Sequence, residues 1–86
     1  MPSLNELQAD FNQAMIDLHR LQHYQLMYAQ LSDLAQFYNV SEMGHRESQR
    51  DYAFRLKTAI ERRLVELNAQ IRACTTWQNN PLGAEA

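Results

Sequence analysis

His19 and His23 stand four residues apart, the interval that sets two imidazoles on one face of a helix where they can share a metal ion. Between them lie Arg20, Leu21 and Gln22, so the glutamate that the helical zinc-protease motif places beside its first histidine is missing. One and two turns to either side come Asn12, Ile16, Met27 and Gln30, with no carboxylate to complete a ligand set of three or four. No metal is expected. Cys74 falls on an apolar stripe with only Arg72 near it in sequence, which reads as a packed thiol; a nucleophile needs an electropositive, partly exposed setting. As the single cysteine it can form no internal disulfide, in keeping with a reducing compartment. There is no Gly-x-Ser-x-Gly turn and no glycine-rich phosphate loop, and the carboxylates are scattered over helix surfaces. The chain therefore reads as non-enzymatic, with neither a cofactor nor a small-molecule substrate.

The basic residues offer a second chemistry. Arg46, Arg50 and Lys57 share one helical face by spacings of four and seven, and Arg55 and Arg62 share a neighbouring one. A dimer could present such rows to RNA or DNA phosphates. That arrangement is similar in layout to the small plasmid-copy-control hairpin that pairs into a four-helix bundle and binds paired RNA loops, although no residue here matches a motif of it. Interspersed Glu42, Glu47, Asp51, Glu61 and Glu66 dilute the rows, and a formal charge of -2 supplies no bulk attraction to phosphate. Nucleic acid is the alternative partner, and protein is the leading one.

Six aromatic residues, Tyr24, Tyr28, Phe37, Tyr38, Tyr52 and Phe54, gather in the middle of the chain. Side chains of this kind are enriched at interface cores, so they bear on contact whether they pack inside a dimer or against another protein.

What holds these residues is helical. Of 86 residues, 45% are hydrophobic and 21% charged, as in an ordinary globular domain, and prolines occur only at positions 2 and 81. The Ser3-Leu4-Asn5-Glu6 stretch is a capping box that starts a helix. A heptad seam follows at Leu4, Leu7, Phe11, Ala14, Leu18 and Leu21, until Gln25 intrudes at the next seam position. Asn39 tolerates the left-handed conformation that closes a helix, and Ser41 can cap the next one, with Ser48 as a weaker second start. The second stripe runs Ala53, Leu56, Ile60, Leu64, Leu67, Ile71 and Cys74, with Glu42–Arg46 and Asp51–Arg55 as supporting i,i+4 pairs.

These elements predict an all-α helical hairpin over residues 1–78, coiled-coil-like, with helices at about 3–38 and 45–77, a turn at about 39–44 and a disordered tail at 79–86. The first arm is acidic and the second basic, as suits two arms lying side by side. No run of apolar residues is long enough to span a membrane and the start carries no leader pattern, so a cytoplasmic location is expected.

Antiparallel folding about residue 40 matches the open end of the hairpin well, with Leu7 meeting Ile71 and Phe11 meeting Leu67. Near the turn it fails. Met27, Leu31, Leu34 and Phe37 come to lie opposite the polar stretch from His45 to Asp51. Two helices also make a thin core, so the hairpin is expected to dimerise into a four-helix bundle or to be completed by another protein. The expected contact surface is Tyr24, Met27, Tyr28, Leu31, Leu34, Phe37 and Tyr38, and the expected role is that of a small adaptor, an assembly or secretion chaperone, or an inhibitor.

Overall fold

The computed structural model describes residues 3–79, with side chains as far as Thr75. It is all-α, with three helices where the sequence predicts two: α1 is Leu4–His23, α2 is Tyr28–Phe37 and α3 is Gln49–Asn79. The antiparallel pairing of the two long helices is as expected, and α2 is the departure. Of the tail expected at 79–86, Asn79 belongs to α3, and residues 80–86 lie outside the described residues.

The capping box is present. Glu6 Oε1 accepts from the Ser3 N–H at 2.8 Å and Ser3 Oγ accepts from the Glu6 N–H at 3.2 Å. From there Leu7, Phe11, Ala14, Leu18 and Leu21 pack with Ile60, Leu64, Leu67 and Ile71 of α3, close to the predicted register.

The first arm does not continue to residue 38. It ends at His23, Tyr24 to Met27 are extended or bent, and α2 turns back. No glycine or proline forces this break, so its cause is tertiary. A straight helix would leave Leu31 and Leu34 without cover, whereas the fold-back buries both, with Ala35, against Tyr52 and Leu56 of α3. Gln30 Oε1 makes the restart possible by accepting from the Met27 N–H at 2.9 Å.

The end of α2 is as the sequence suggests. Asn39 has φ 59°, Val40 N–H donates to the Ala35 carbonyl at 2.7 Å and Asn39 N–H donates to that of Gln36 at 3.4 Å, which together make a Schellman closure. The second start differs from expectation. Ser48 Oγ, not that of Ser41, accepts from an early N–H of α3, that of Asp51, at 3.0 Å, so residues 45–48 precede the helix.

Because α2 begins beside Tyr52 and ends at Tyr38, beside Asp17 and Ala59, it runs parallel to α3. The chain must then return to the start of α3, and residues 40–48 form a strap that does so, with Val40 and Met43 packed on the α2–α3 core. One half of the 58 Å long molecule is thus three layers thick, while beyond Leu67, among the described residues, Ile71 packs against the α1–α3 cluster.

Candidate contact surface

The fold-back divides the seven residues expected to form one contact surface. Leu31 is 2% exposed and Leu34 is buried with it, so these two are intrachain core and not a partner surface. The reason is the fold-back itself, which supplies the cover that a straight hairpin lacks. Tyr38 is half-buried and donates its hydroxyl to Asp17 Oδ2 at 2.6 Å. The remaining four, Tyr24, Met27, Tyr28 and Phe37, are exposed, Met27 at 73% and Phe37 at 69%. Tyr24 and Met27 occupy the corner between α1 and α2, and Phe37 stands at the far end of α2.

Phe37 is placed between two depressions. One, of about 260 Å³, lies between α1 and α2 and is lined by Asp17, Arg20, Gln30 and Asp33. The other, of about 520 Å³, opens where α2 stops and is lined by Asp10, Tyr38, Arg62, Arg63 and Leu67. Phe37 walls both.

α2 and the strap are fixed by two carboxylates that the sequence reading used only as helix charges. Glu42 Oε1 accepts from the Tyr52 hydroxyl at 3.1 Å and from that of Tyr28 at 3.4 Å, and Ser32 Oγ lies 3.0 Å from Glu42 Oε2. Glu47 receives a bidentate fork from Arg55, whose Nε and Nη2 each donate at 2.6 Å, and the Gly44 N–H donates to Glu47 Oε1 at 3.0 Å. Arg55 Nη1 also donates to Ser41 Oγ at 3.0 Å, and Nη2 donates to the Glu42 carbonyl at 3.2 Å. Arg55 therefore pairs with Glu47 and the strap, where the sequence paired it with Asp51. In the same way Glu42 binds hydroxyls in place of Arg46.

These contacts set the titration of the groups involved. The Arg55 fork, with the Gly44 N–H, holds the Glu47 carboxyl down at about 2. Burial first, and the Glu42 carboxylate second, push the Tyr52 phenol up to about 12. Burial and Asp17 push Tyr38 up further. In the amino-acid sequence these networks carry no motif; the one hint is that Glu42 and Glu47 flank Gly44.

The residues weighed for other chemistry are dispersed. Arg46 lies in a turn before α3, so it does not share a helical face with Arg50 and Lys57, and Lys57 Nζ is engaged by Glu61 Oε2 at 3.1 Å. His19 and His23 stack with ring centroids 4.4 Å apart, and Cys74 is half-buried. Among the described residues no group of three or more histidine, cysteine, aspartate or glutamate side chains could hold a metal ion, and no helix is long and apolar enough to cross a membrane. No family model, curated protein or solved structure matches the chain.

Proposed function

We propose that this chain works by protein contact and not by catalysis, as a small adaptor, an assembly or secretion chaperone, or an inhibitor. The observation that carries this reading is that α2, clamped by Tyr38 at one end and by Glu42 along its flank, still leaves Met27, with Tyr24 and Tyr28 near it in sequence, and Phe37 at the far end exposed. Aromatic and methionine side chains of this kind are enriched at interface cores, and a rigidly held element loses little conformational entropy when a partner closes over it.

The deciding experiment is capture from an extract of the source cell on immobilised chain, comparing the native protein with Met27→Glu/Phe37→Glu. A partner held by the first and lost by the second, at unchanged helicity, is the expected result. A double variant that keeps its partner moves the contact off α2.

The same reading includes self-association. From Leu64 toward the open end the α1–α3 arm is two helices thick, and Phe11, Leu64 and Ile71 there are only half-covered, so a second copy would complete a four-helix bundle. Sedimentation equilibrium that returns 10.1 kDa at every concentration would remove this part of the proposal.

A further inference from the structure

The corner between α1 and α2 is made without any residue that requires it. Tyr24, Gln25, Leu26 and Met27 include no glycine, proline or β-branched side chain, and glutamine, leucine and methionine are good helix formers. α1 closes on Tyr24 in extended backbone, φ -130° and ψ 146°, with no left-handed residue, and α2 opens on Met27, a residue type outside the usual N-caps. The Tyr24 N–H donates to the Arg20 carbonyl and the Leu31 N–H to that of Met27. Between them the N–H groups of Gln25 through Gln30 make no bond to the carbonyl four residues before, and that of Met27 turns to Gln30 Oε1 instead. One continuous helix through the corner would form all of these bonds.

What keeps the corner bent is that α1 and α2 both pack on the same α3. Leu31, Leu34 and Ala35 cluster with Tyr52 and Leu56, whereas Leu7 and Ala14 cluster with Ile60 and Leu67. A second copy offers α1 an identical seat. When α1 docks on the α3 of another copy, both clusters and the Tyr38–Asp17 bond re-form across the pair, and the corner is released. Direction decides whether the exchange closes. α1 runs antiparallel to α3 and α2 runs parallel to it, so a straightened helix carries α1 past the start of its own α3, along the line of an α3 that points the other way. A two-fold axis at the corner supplies that α3. The copies meet where their third helices begin, and each long helix covers one α3 with its α2 half and the other with its α1 half. The seat that α1 leaves is filled by the partner's α1, so the assembly stops at two.

We propose that this chain dimerises by exchanging α1, with residues 4–37 of each copy joined into one helix across the corner. The exchange goes beyond the side-by-side bundle proposed above and stands without it, because it uses the buried faces of α1 and α3 and not their exposed ones. It also names its occupant: the seat on α3 is shaped by the side chains of α1, and a second copy carries those same side chains. Contacts outside the corner are kept, and the helical bonds of Gln25 to Gln30 are added. Concentration therefore favours the dimer, and exchange with the monomer requires α1 to undock.

Refolding the full chain from urea at high and at low concentration, followed by sedimentation and small-angle X-ray scattering, tests the exchange. The expected product of concentrated refolding is a dimer well beyond the 58 Å length of one chain and approaching twice that length, whereas a side-by-side bundle stays close to 58 Å. Two substitutions at one position separate a straightened corner from a lost tyrosine. Tyr28 is the first residue of α2, and Met27 before it sits at φ -75° and ψ 160°, so proline fits at position 28 of the folded-back chain but breaks a continuous helix. Tyr28→Pro should stay monomeric after both refoldings, and Tyr28→Ala, which loses the same ring, should give the elongated dimer in at least the native proportion. A native dimer that stays close to 58 Å long overturns the exchange and leaves the side-by-side bundle standing, and a native chain monomeric throughout overturns both. An elongated dimer formed equally by Tyr28→Pro overturns the straightened corner. Should Tyr28→Pro fold poorly, the length of the native dimer alone decides.

Discussion

The Tyr38 hydroxyl donates to Asp17 Oδ2 at 2.6 Å, joining the end of α2 to the middle of α1 across 21 residues of sequence. Asp17 is the one buried charged residue of the described chain, and its other partners are Gln13 Nε2 at 3.0 Å and Arg20 Nη1 at 3.9 Å. Tyr38→Phe removes the shortest of these bonds and leaves a desolvated carboxylate under-satisfied, which costs about 1 to 3 kcal/mol. Urea melts should show that loss in Tyr38→Phe, and much less of it when Asp17→Asn is already present. Equal losses in both backgrounds would mean that the pair is not coupled.

Leu31 and Leu34 offer a sharper test of the fold-back. Because they are core against Tyr52 and Leu56, Leu31→Ala should destabilise by about 2 to 5 kcal/mol. On a straight two-helix hairpin the same change would fall on an open surface and cost almost nothing. A midpoint within error of the native one contradicts the placement of α2.

Glu47 predicts how the strap responds to acid. Its folded pKa of about 2 lies below the 4.5 of the free group, so its contribution is fully present above about 4.5 and is lost as the pH falls toward 2. Amide protection at residues 41–47, taken relative to the intrinsic exchange rate at each pH, should fall across that interval, and Glu47→Gln should show the lower protection already at neutral pH with the acid dependence flattened. A strap equally protected at pH 2 and pH 7 argues against the Arg55 fork.

The tyrosines report the alkaline side. Tyr52, raised to about 12, and Tyr38, raised by burial and Asp17, each favour the fold while protonated. The stability they carry is complete below pH 10 and is lost as the pH rises through their folded values. Phenolate absorbance should therefore include a late step that coincides with loss of helix. Tyr52→Phe should shrink the late step.

For nucleic acid the expectation is negative. Arg46 is off the helix and Lys57 is engaged by Glu61, so the row Arg46, Arg50 and Lys57 is interrupted. Gel shifts with duplex and hairpin RNA at about 50 mM and about 200 mM salt should show no complex at micromolar protein. A complex that weakens steeply between the two salts, and is lost in Arg50→Ala, would reverse that expectation.

The long helices were legible because their signals are local or periodic. The Ser3–Glu6 box, the stripes through Leu7 and Leu67 and the left-handed Asn39 all appear where the residues place them. The break at Tyr24–Met27 was legible only as an anomaly, the polar Gln25 on an apolar seam, because local propensity there favours helix and the energy that bends the chain comes from Tyr52 and Leu56, distant in sequence. The unmatched patch was a correct observation with the wrong remedy: the chain covers part of it itself. Asp17, Glu42 and Glu47 look like any solvated charges until the fold-back and strap bring hydroxyls and Arg55 to them.

The strap that carries the chain from α2 back to the start of α3 also fixes an order of assembly. Leu31 and Leu56 are 25 residues apart, whereas Leu7 and Leu67 are 60 apart, so closing the α2–α3 unit costs about 0.8 kcal/mol less in chain entropy than closing the α1–α3 pair. By loop closure alone, residues 28–56 are expected to close first, with α1 docking afterwards. In pulse-labelled refolding the amides of α2 should gain protection ahead of those of α1, and α1 should be the first helix released when the protein opens.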